Sequence, residues 1–149
     1  MRIALGADHA GLALKHEVKR LLDSLGIACD DCGTFTEESV DYPDVAADVA
    51  RRVADGRNDR GILVCGTGIG VAMAANKIAG VRAAPVTDLE SARLCREHND
   101  ANVLALGARI LPVERALEIV RTFLDTPFAG GRHERRVRKI AGLEHKPSA

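Results

Sequence analysis

Short apolar runs that end at glycine or cysteine alternate along this chain with stretches whose apolar residues recur every three or four positions. Ile3, Ala4 and Leu5 form a run that stops at Gly6, the pattern of a buried strand over Arg2–Gly6. Leu14, Val18, Leu21, Leu22 and Leu25 then share one helical face, and Gly26 stands where a helix C-cap belongs. Ile27–Gly33 reads as a second strand and Thr34–Asp41 as a polar loop. From Pro43 the pattern is helical again, with Val45, Val49 and Val53 one turn apart, until Asp55-Gly56-Arg57-Asn58 ends it. Gly61–Cys65 is the strongest strand. A glycine loop follows it, then a helix expected to turn Ile69, Ala72 and Met73 inward. Val81–Val86 predicts a fourth strand, with a helix after it through about Glu97, and Asn102–Gly107 a fifth. Val113, Ala116, Leu117, Val120 and Leu124 mark a further amphipathic helix. The charged segment over 132–142 predicts the last helix, with 144–149 as a frayed tail.

Strands that alternate with helices predict a parallel sheet covered on both faces. In such a sheet, ligands bind beyond the carboxyl ends of the strands, where the strand order reverses. The polar residues fit that rule: Asp8 and His9 follow the first strand, Cys65 to Gly70 the third and Arg109 the fifth. With 149 residues and no repeat, low-complexity tract or linker, the chain reads as one domain over 1–149.

Composition narrows the function classes. The chain is 46% hydrophobic and 28% charged, an ordinary soluble balance, and its formal charge is zero, which argues against a nucleic-acid binder. Aromatics make up 3% and Trp is absent, so the core is expected to be aliphatic and a base-stacking platform is not expected. No apolar run approaches the roughly 20 residues of a membrane span. The start of the chain lacks the apolar stretch of a signal peptide, so the expected location is the cytoplasm. Cys29 and Cys32 have the spacing of a redox pair or half a zinc site, but no second pair accompanies them, and small residues at a strand end are the simpler reading. His and carboxylate residues show no metal-ligand spacing, so neither metal nor cofactor is expected.

The central chemical feature is Cys65-Gly66-Thr67-Gly68-Ile69-Gly70 between a buried strand and a helix. Its glycines permit a sharp turn and bring several backbone N–H groups to a helix N-terminus. That setting suits a phosphate or an enediolate and favours the thiolate of a cysteine placed there, a plausible proton carrier. The spacing is neither the dinucleotide fingerprint nor a P-loop, and the arginine of cysteine phosphatases is missing. A tight turn holding an inert cysteine is the competing reading. Asp8 and His9 bring a carboxylate and an imidazole to a strand end, or Asp8 simply caps a helix. Arg132 and Arg136 share a helix face and can grip a phosphate, or form a solvated charged face. His98-Asn99-Asp100 offers an acid or base near neutral pH, or only a capped turn. His16, His133 and His145 have no comparable setting.

Taken together, Gly6-Ala7-Asp8-His9-Ala10-Gly11, Asp41-Tyr42-Pro43, the Cys65–Gly70 loop with Ala74-Ala75-Asn76-Lys77, His98-Asn99-Asp100, Gly107-Ala108-Arg109 and Gly130-Gly131-Arg132-His133 with Arg136 resemble the type B ribose-5-phosphate isomerases, a family that includes galactose-6-phosphate and allose-6-phosphate isomerases. The resemblance runs from Arg2 to about Leu143. It implies a Rossmann-like α/β/α sandwich with a five-stranded parallel sheet. It also implies a homodimer whose active sites take residues from both subunits, with a tetramer as the alternative, and a last helix that docks on the partner. It makes Cys65 the base that moves a proton between C2 and C1 of the sugar, and Thr67 and His98 the groups that assist ring opening. The amides of Gly66, Gly68, Ile69 and Gly70 would hold the enediolate. Asp8, Tyr42 and Asn99 would contact sugar hydroxyls, and His9, Arg109, Arg132 and Arg136 would hold the phosphate. One branch of the family replaces the cysteine with serine and uses a glutamate at the position of Val71; with Cys65 and Val71 this chain fits the cysteine branch. The expected activity is interconversion of ribose 5-phosphate and ribulose 5-phosphate. A six-carbon sugar phosphate as substrate, a noncatalytic phosphosugar-binding module and a Cys29–Cys32 redox protein are the alternatives.

Overall fold

The computed structural model describes residues 1–144. In chain order its elements are β1 (Arg2–Ala7), a single 3-10 turn (His9–Gly11), α1 (Leu12–Ser24), β2 (Ala28–Asp31), α2 (Tyr42–Ala54), β3 (Arg60–Cys65), α3 (Ile69–Ala75), β4 (Ala83–Pro85), α4 (Leu89–Glu97), β5 (Val103–Gly107), α5 (Val113–Asp125) and α6 (Arg132–Gly142). All strand pairs are parallel, in the order β2-β1-β3-β5-β4. The chain therefore builds one side of the sheet, returns past β1 and builds the other. The reversal between β1 and β3 opens a crevice at their carboxyl ends. Register places Ala7 beside Val64 and Cys65 beside Gly107, so Asp8, Gly66 and Ala108 leave three neighbouring strands together.

Strand side chains alternate between two cores. Ile3, Leu5, Ile62, Val64, Leu104 and Leu106 pack with Val18, Leu22, Ile119 and Phe123 of the helices on one face. Ala4, Leu63, Cys65, Val103 and Ala105 pack with Val49, Val53, Val71 and Ala72 on the other. Apart from Phe123, the fully buried large apolar side chains are aliphatic, as the composition predicted.

Several expectations are corrected. The fourth strand is Ala83–Pro85 rather than Val81–Val86; Pro85 brings no N–H to the ladder and ends an edge strand. The second strand is cut to Ala28–Asp31, although its pairing with β1 continues through Cys32 N–H to Leu5 O (2.7 Å). In α3 the inward residues are Val71, Ala72 and Ala75, while Ile69 and Met73 are exposed. That face packs closely on the α2 side of the sheet and takes small side chains. Leu25, expected inside, is the exposed C-cap of α1. Cys29 packs against the first core and Cys32 against the second, so the two thiols lie on opposite faces of the sheet. Burial pushes both up to about 11, and both are free. Among the described residues no helix is long and apolar enough to cross a membrane. α6 buries none of its residues. Glu144, expected in a frayed tail, accepts from Gly80 N–H at 2.8 Å; the rest of that tail, with His145, lies outside the described residues.

Candidate active site

A cleft of about 420 Å³ lies at the strand reversal, lined by Asp8, Tyr42, Cys65, Gly66, Thr67, Ile69, Gly70, Met73 and Arg109. β3 supplies its centre. Beyond Cys65 the chain must turn at once into α3, and Gly68 takes the positive φ of 80° that this needs. A side chain there would also press on the backbone of Leu106, 3.0 Å away. The turn aims Gly68 N–H at Cys65 Sγ (3.2 Å), a contact that stabilises a thiolate. Thr67 Oγ1 accepts from Ile69 N–H at 3.2 Å and so caps the first turn of α3. Two of the four predicted enediolate-holding amides, those of Gly68 and Ile69, thus already have side-chain acceptors. Those of Gly70 and Val71 lie in the first turn, where the helix offers no acceptor. Gly70 is required by close approach: a Cβ on it would lie 2.7 Å from the Tyr42 ring. The phenol of Tyr42 therefore lies directly over the start of α3.

The other strands frame this loop. Asp8 is buried, and its Oδ1 accepts from Gly11 N–H at 3.0 Å. It caps the 3-10 turn and lines the cleft as well. Ala108 N–H donates to Cys65 O (2.8 Å) and Arg109 N–H to Gly66 O (3.0 Å), which ties the exit of β5 to the glycine loop and lays the Arg109 guanidinium over Gly66. His9 Nδ1 accepts from Val40 N–H at 3.2 Å. In the neutral ring the proton then sits on Nε2, which is left free to donate.

The remaining predicted residues stand elsewhere. α4 runs back from the carboxyl edge of the sheet, and His98 is its C-cap. Asn99 follows it, and the chain then enters β5 at Val103, four residues before Gly107. At about 3.3 Å per residue that is roughly 13 Å of sheet, and within one chain neither His98 nor Asn99 lines the cleft of Cys65. The loop is held by Asp100, in a left-handed conformation (φ 47°), which pairs with Arg96 at 2.8 Å and Arg82 at 3.4 Å. The His98 ring stacks on His133 with centroids 4.1 Å apart and planes 13° from parallel. This brings the first turns of α6, with Arg132 and Arg136 exposed, to the end of α4. Partial burial and the neighbouring His98, Arg132 and Arg136 push His133 below the ordinary value of 6.5. His133 is the residue that sequence reasoning passed over; only its position beside Arg132 pointed to it. A larger hollow of about 720 Å³ lies between β4 and the end of α6 and includes Asn99 and Cys95. It has no glycine loop, and burial pushes the Cys95 thiol up to about 11.

Comparison with known proteins agrees with this geometry. Residues 3–140 match the family model described as Ribose/Galactose Isomerase. The ribose-5-phosphate isomerase B of Escherichia coli (strain K12) is 47% identical over 145 residues, 97% of each chain. Among solved structures, the ribose-5-phosphate isomerase B of Clostridium thermocellum superposes with a TM-score of 0.96 at 51% identity, covering 97% of both chains. That of Mycoplasma genitalium, solved with bound ribulose 5-phosphate, gives a TM-score of 0.93 at 43% identity, covering 96% of this chain and 95% of the other. With residues 3–140 and nearly the full length of these relatives matched, this chain belongs to the ribose/galactose isomerase family.

Proposed function

We propose that this chain is an aldose–ketose isomerase that interconverts D-ribose 5-phosphate and D-ribulose 5-phosphate through a cis-enediolate. The observation that carries the reading is the Cys65 sulfur, which meets an amide N–H at the carboxyl end of the central strand, in a cleft shared with Asp8, Tyr42, Thr67 and Arg109. Each part has a chemical task. With the sugar ring open, the Cys65 thiolate takes the C2 proton and the electron pair moves through C1 onto the carbonyl oxygen. As charge leaves sulfur for that oxygen, the amides at the start of α3 become its partners. The O2 proton then passes to O1, and the thiol returns its proton to C1 as the carbonyl re-forms at C2, so no external acid or oxidant is consumed. Thr67 and His98 manage the protons of ring opening. Asp8, Tyr42 and Asn99 hold the sugar hydroxyls. The Nε2–H of His9, with Arg109, Arg132 and Arg136, holds the phosphate and orients the far end of the substrate.

The enzyme works as a cytoplasmic homodimer. Two observations support the dimer: α6 buries no residue within its own chain and exposes Ile140, with the exposed Leu143 just beyond it, and the His98 group stands a sheet's length from Cys65 of the same chain. A partner subunit that docks on α6 unites one chain's Cys65 with the other's His98 and arginines.

The test is ribulose 5-phosphate formation from ribose 5-phosphate in the presence of EDTA. Cys65→Ala should lose about 10²–10⁴-fold in kcat, the usual contribution of a positioned base. Full turnover in that variant would remove Cys65 from its role. Label carried at C2 that never reaches C1 or solvent would refute the enediolate. Parallel rates on allose and galactose 6-phosphates decide the sugar length.

A further inference from the structure

Lys15, on the second turn of α1, is fully buried, and the proposed chemistry makes no use of it. A buried ammonium is costly unless its protons are taken up. Here Nζ donates to Asp31 Oδ1 at 2.7 Å and to Thr34 O at 2.5 Å, and the Phe35 ring lies 4.5 Å from it. Asp31 Oδ1 also accepts from Gly33 N–H at 3.0 Å. Every one of these contacts falls in one segment, residues 31–35, where the chain leaves the sheet. That segment is laced to the end of β1, with Ala7 N–H on Gly33 O and Thr34 N–H on Ala7 O, both at 2.6 Å. Its far end returns beside the cleft, where Val40 N–H meets Nδ1 of His9, the neighbour of the cleft-lining Asp8. Among the described residues, 35–39 make no backbone hydrogen bond. The strap is thus rooted at Lys15 and tied down at His9, with little of its own to hold its shape between.

We infer that Lys15 is a positioning residue for His9. Its ammonium fixes the root of the 31–40 strap, and the strap sets the Val40 amide against Nδ1. That contact keeps the imidazole turned and, in the neutral ring, places its proton on Nε2. Lys15 touches no substrate; it acts through the strap on the group that meets the phosphate. A salt bridge serving only the core would stabilise α1 and β2 equally well but would leave the His9 tautomer and the phosphate affinity indifferent to its loss. The role in turnover rests on the isomerase reading, whereas the effect on the His9 ring does not.

Two readouts test this in Lys15→Met and Lys15→Arg. The first is the ring 15N spectrum of His9. The wild type should show a single Nε2–H tautomer, and Lys15→Met a mixture of the two. The second is a mutant cycle on kcat/KM for ribose 5-phosphate. Lys15→Met should cost about tenfold in the wild-type background, mostly in KM, and under about twofold in a His9→Ala background, because groups that act through one another are not additive. Lys15→Arg should recover part of both. If Lys15→Met does not fold, Phe35→Ala carries the test: Phe35 is 68% exposed, so its loss leaves the fold intact while uncovering the ammonium. It should shift the same tautomer balance and raise KM about threefold, again only with His9 present. An unchanged His9 spectrum, or equal losses with and without His9, overturns the inference. Absence of turnover in the wild type would overturn the isomerase reading and leave the spectrum to decide on Lys15.

Discussion

Gly70→Ala separates the stability of the fold from the geometry of the site. The added Cβ would lie 2.7 Å from two carbons of the Tyr42 ring and 3.1 Å from its hydroxyl. Carbon contacts settle at about 3.5–4.0 Å, so the ring must retreat by about 1 Å. It is free to do so, because Tyr42 is 41% exposed and its outer side faces the cleft. Removing a glycine from a helix gains up to about 1 kcal/mol, whereas residual crowding costs about 1 kcal/mol or more. The two nearly cancel, and at about 2–4 °C per kcal/mol the melting temperature should move by less than about 3 °C. Activity has no such compensation. A hydroxyl contact displaced by about 1 Å weakens substrate orientation, and such shifts cost up to about 100-fold. We expect kcat/KM for ribose 5-phosphate to fall about 10–100-fold, equivalent to about 1.4–2.8 kcal/mol. The assay pairs a thermal melt with initial rates on the same preparation. Wild-type kcat/KM in Gly70→Ala would show that the seat of Tyr42 has no part in turnover. A fall in melting temperature beyond about 8 °C would show that the ring is locked in place and that the cancellation argument is wrong.

Two further outcomes are expected. His133 has a folded-state value below 6.5, so the unfolded chain binds its proton more readily. Its contribution to stability is present above about pH 6.5 and fades as pH falls through the lower folded value. An NMR titration should place the His133 midpoint below 6.5 and move it upward in His98→Ala; a midpoint at or above 6.5 would contradict the stacked, cation-flanked setting. Cys29 and Cys32 face opposite sides of the sheet and are pushed up to about 11 by burial. A mild oxidant should leave the intact mass of the native protein without the loss of two hydrogens that a Cys29–Cys32 bond would bring, and recovery of that bond from folded protein would refute the placement.

The parts legible in the sequence were those whose signals are local. β1, β3 and β5 are buried on both faces, so their apolar runs are continuous and end where the polar site begins; Asp8, Cys65 and Arg109 follow from that rule alone. The edge strands were misjudged because hydrophobicity does not record pairing. Val81 is buried without belonging to the ladder, and Pro85 closes β4 early although Val86 N–H still donates to Ala105 O at 3.2 Å. The inward face of α3 was illegible because Ile69, Val71, Ala72, Met73 and Ala75 are apolar nearly all round. The choice among them is made by the small gap against the α2 side, which admits alanine and valine and turns isoleucine and methionine toward the cleft. His133 was missed for a different reason. What marks it is the ring of His98, 35 positions earlier, and no periodicity links the two. Lys15 carries no signal of its own in the sequence, since only the fold brings Asp31 and Thr34 over it.

The order β1-β3-β5 also sets a length scale. Hydrogen-bonded strands stand about 4.8 Å apart, so the ends that release Asp8, Cys65 and Arg109 form a gauge of about 10 Å with the sulfur at its midpoint. That spacing belongs to the backbone ladder, and no side-chain replacement stretches it. A redesign for a longer sugar phosphate therefore has to leave these marks where they are and make room at the rim, in the segment before Tyr42 or in the cationic groups that close the far side.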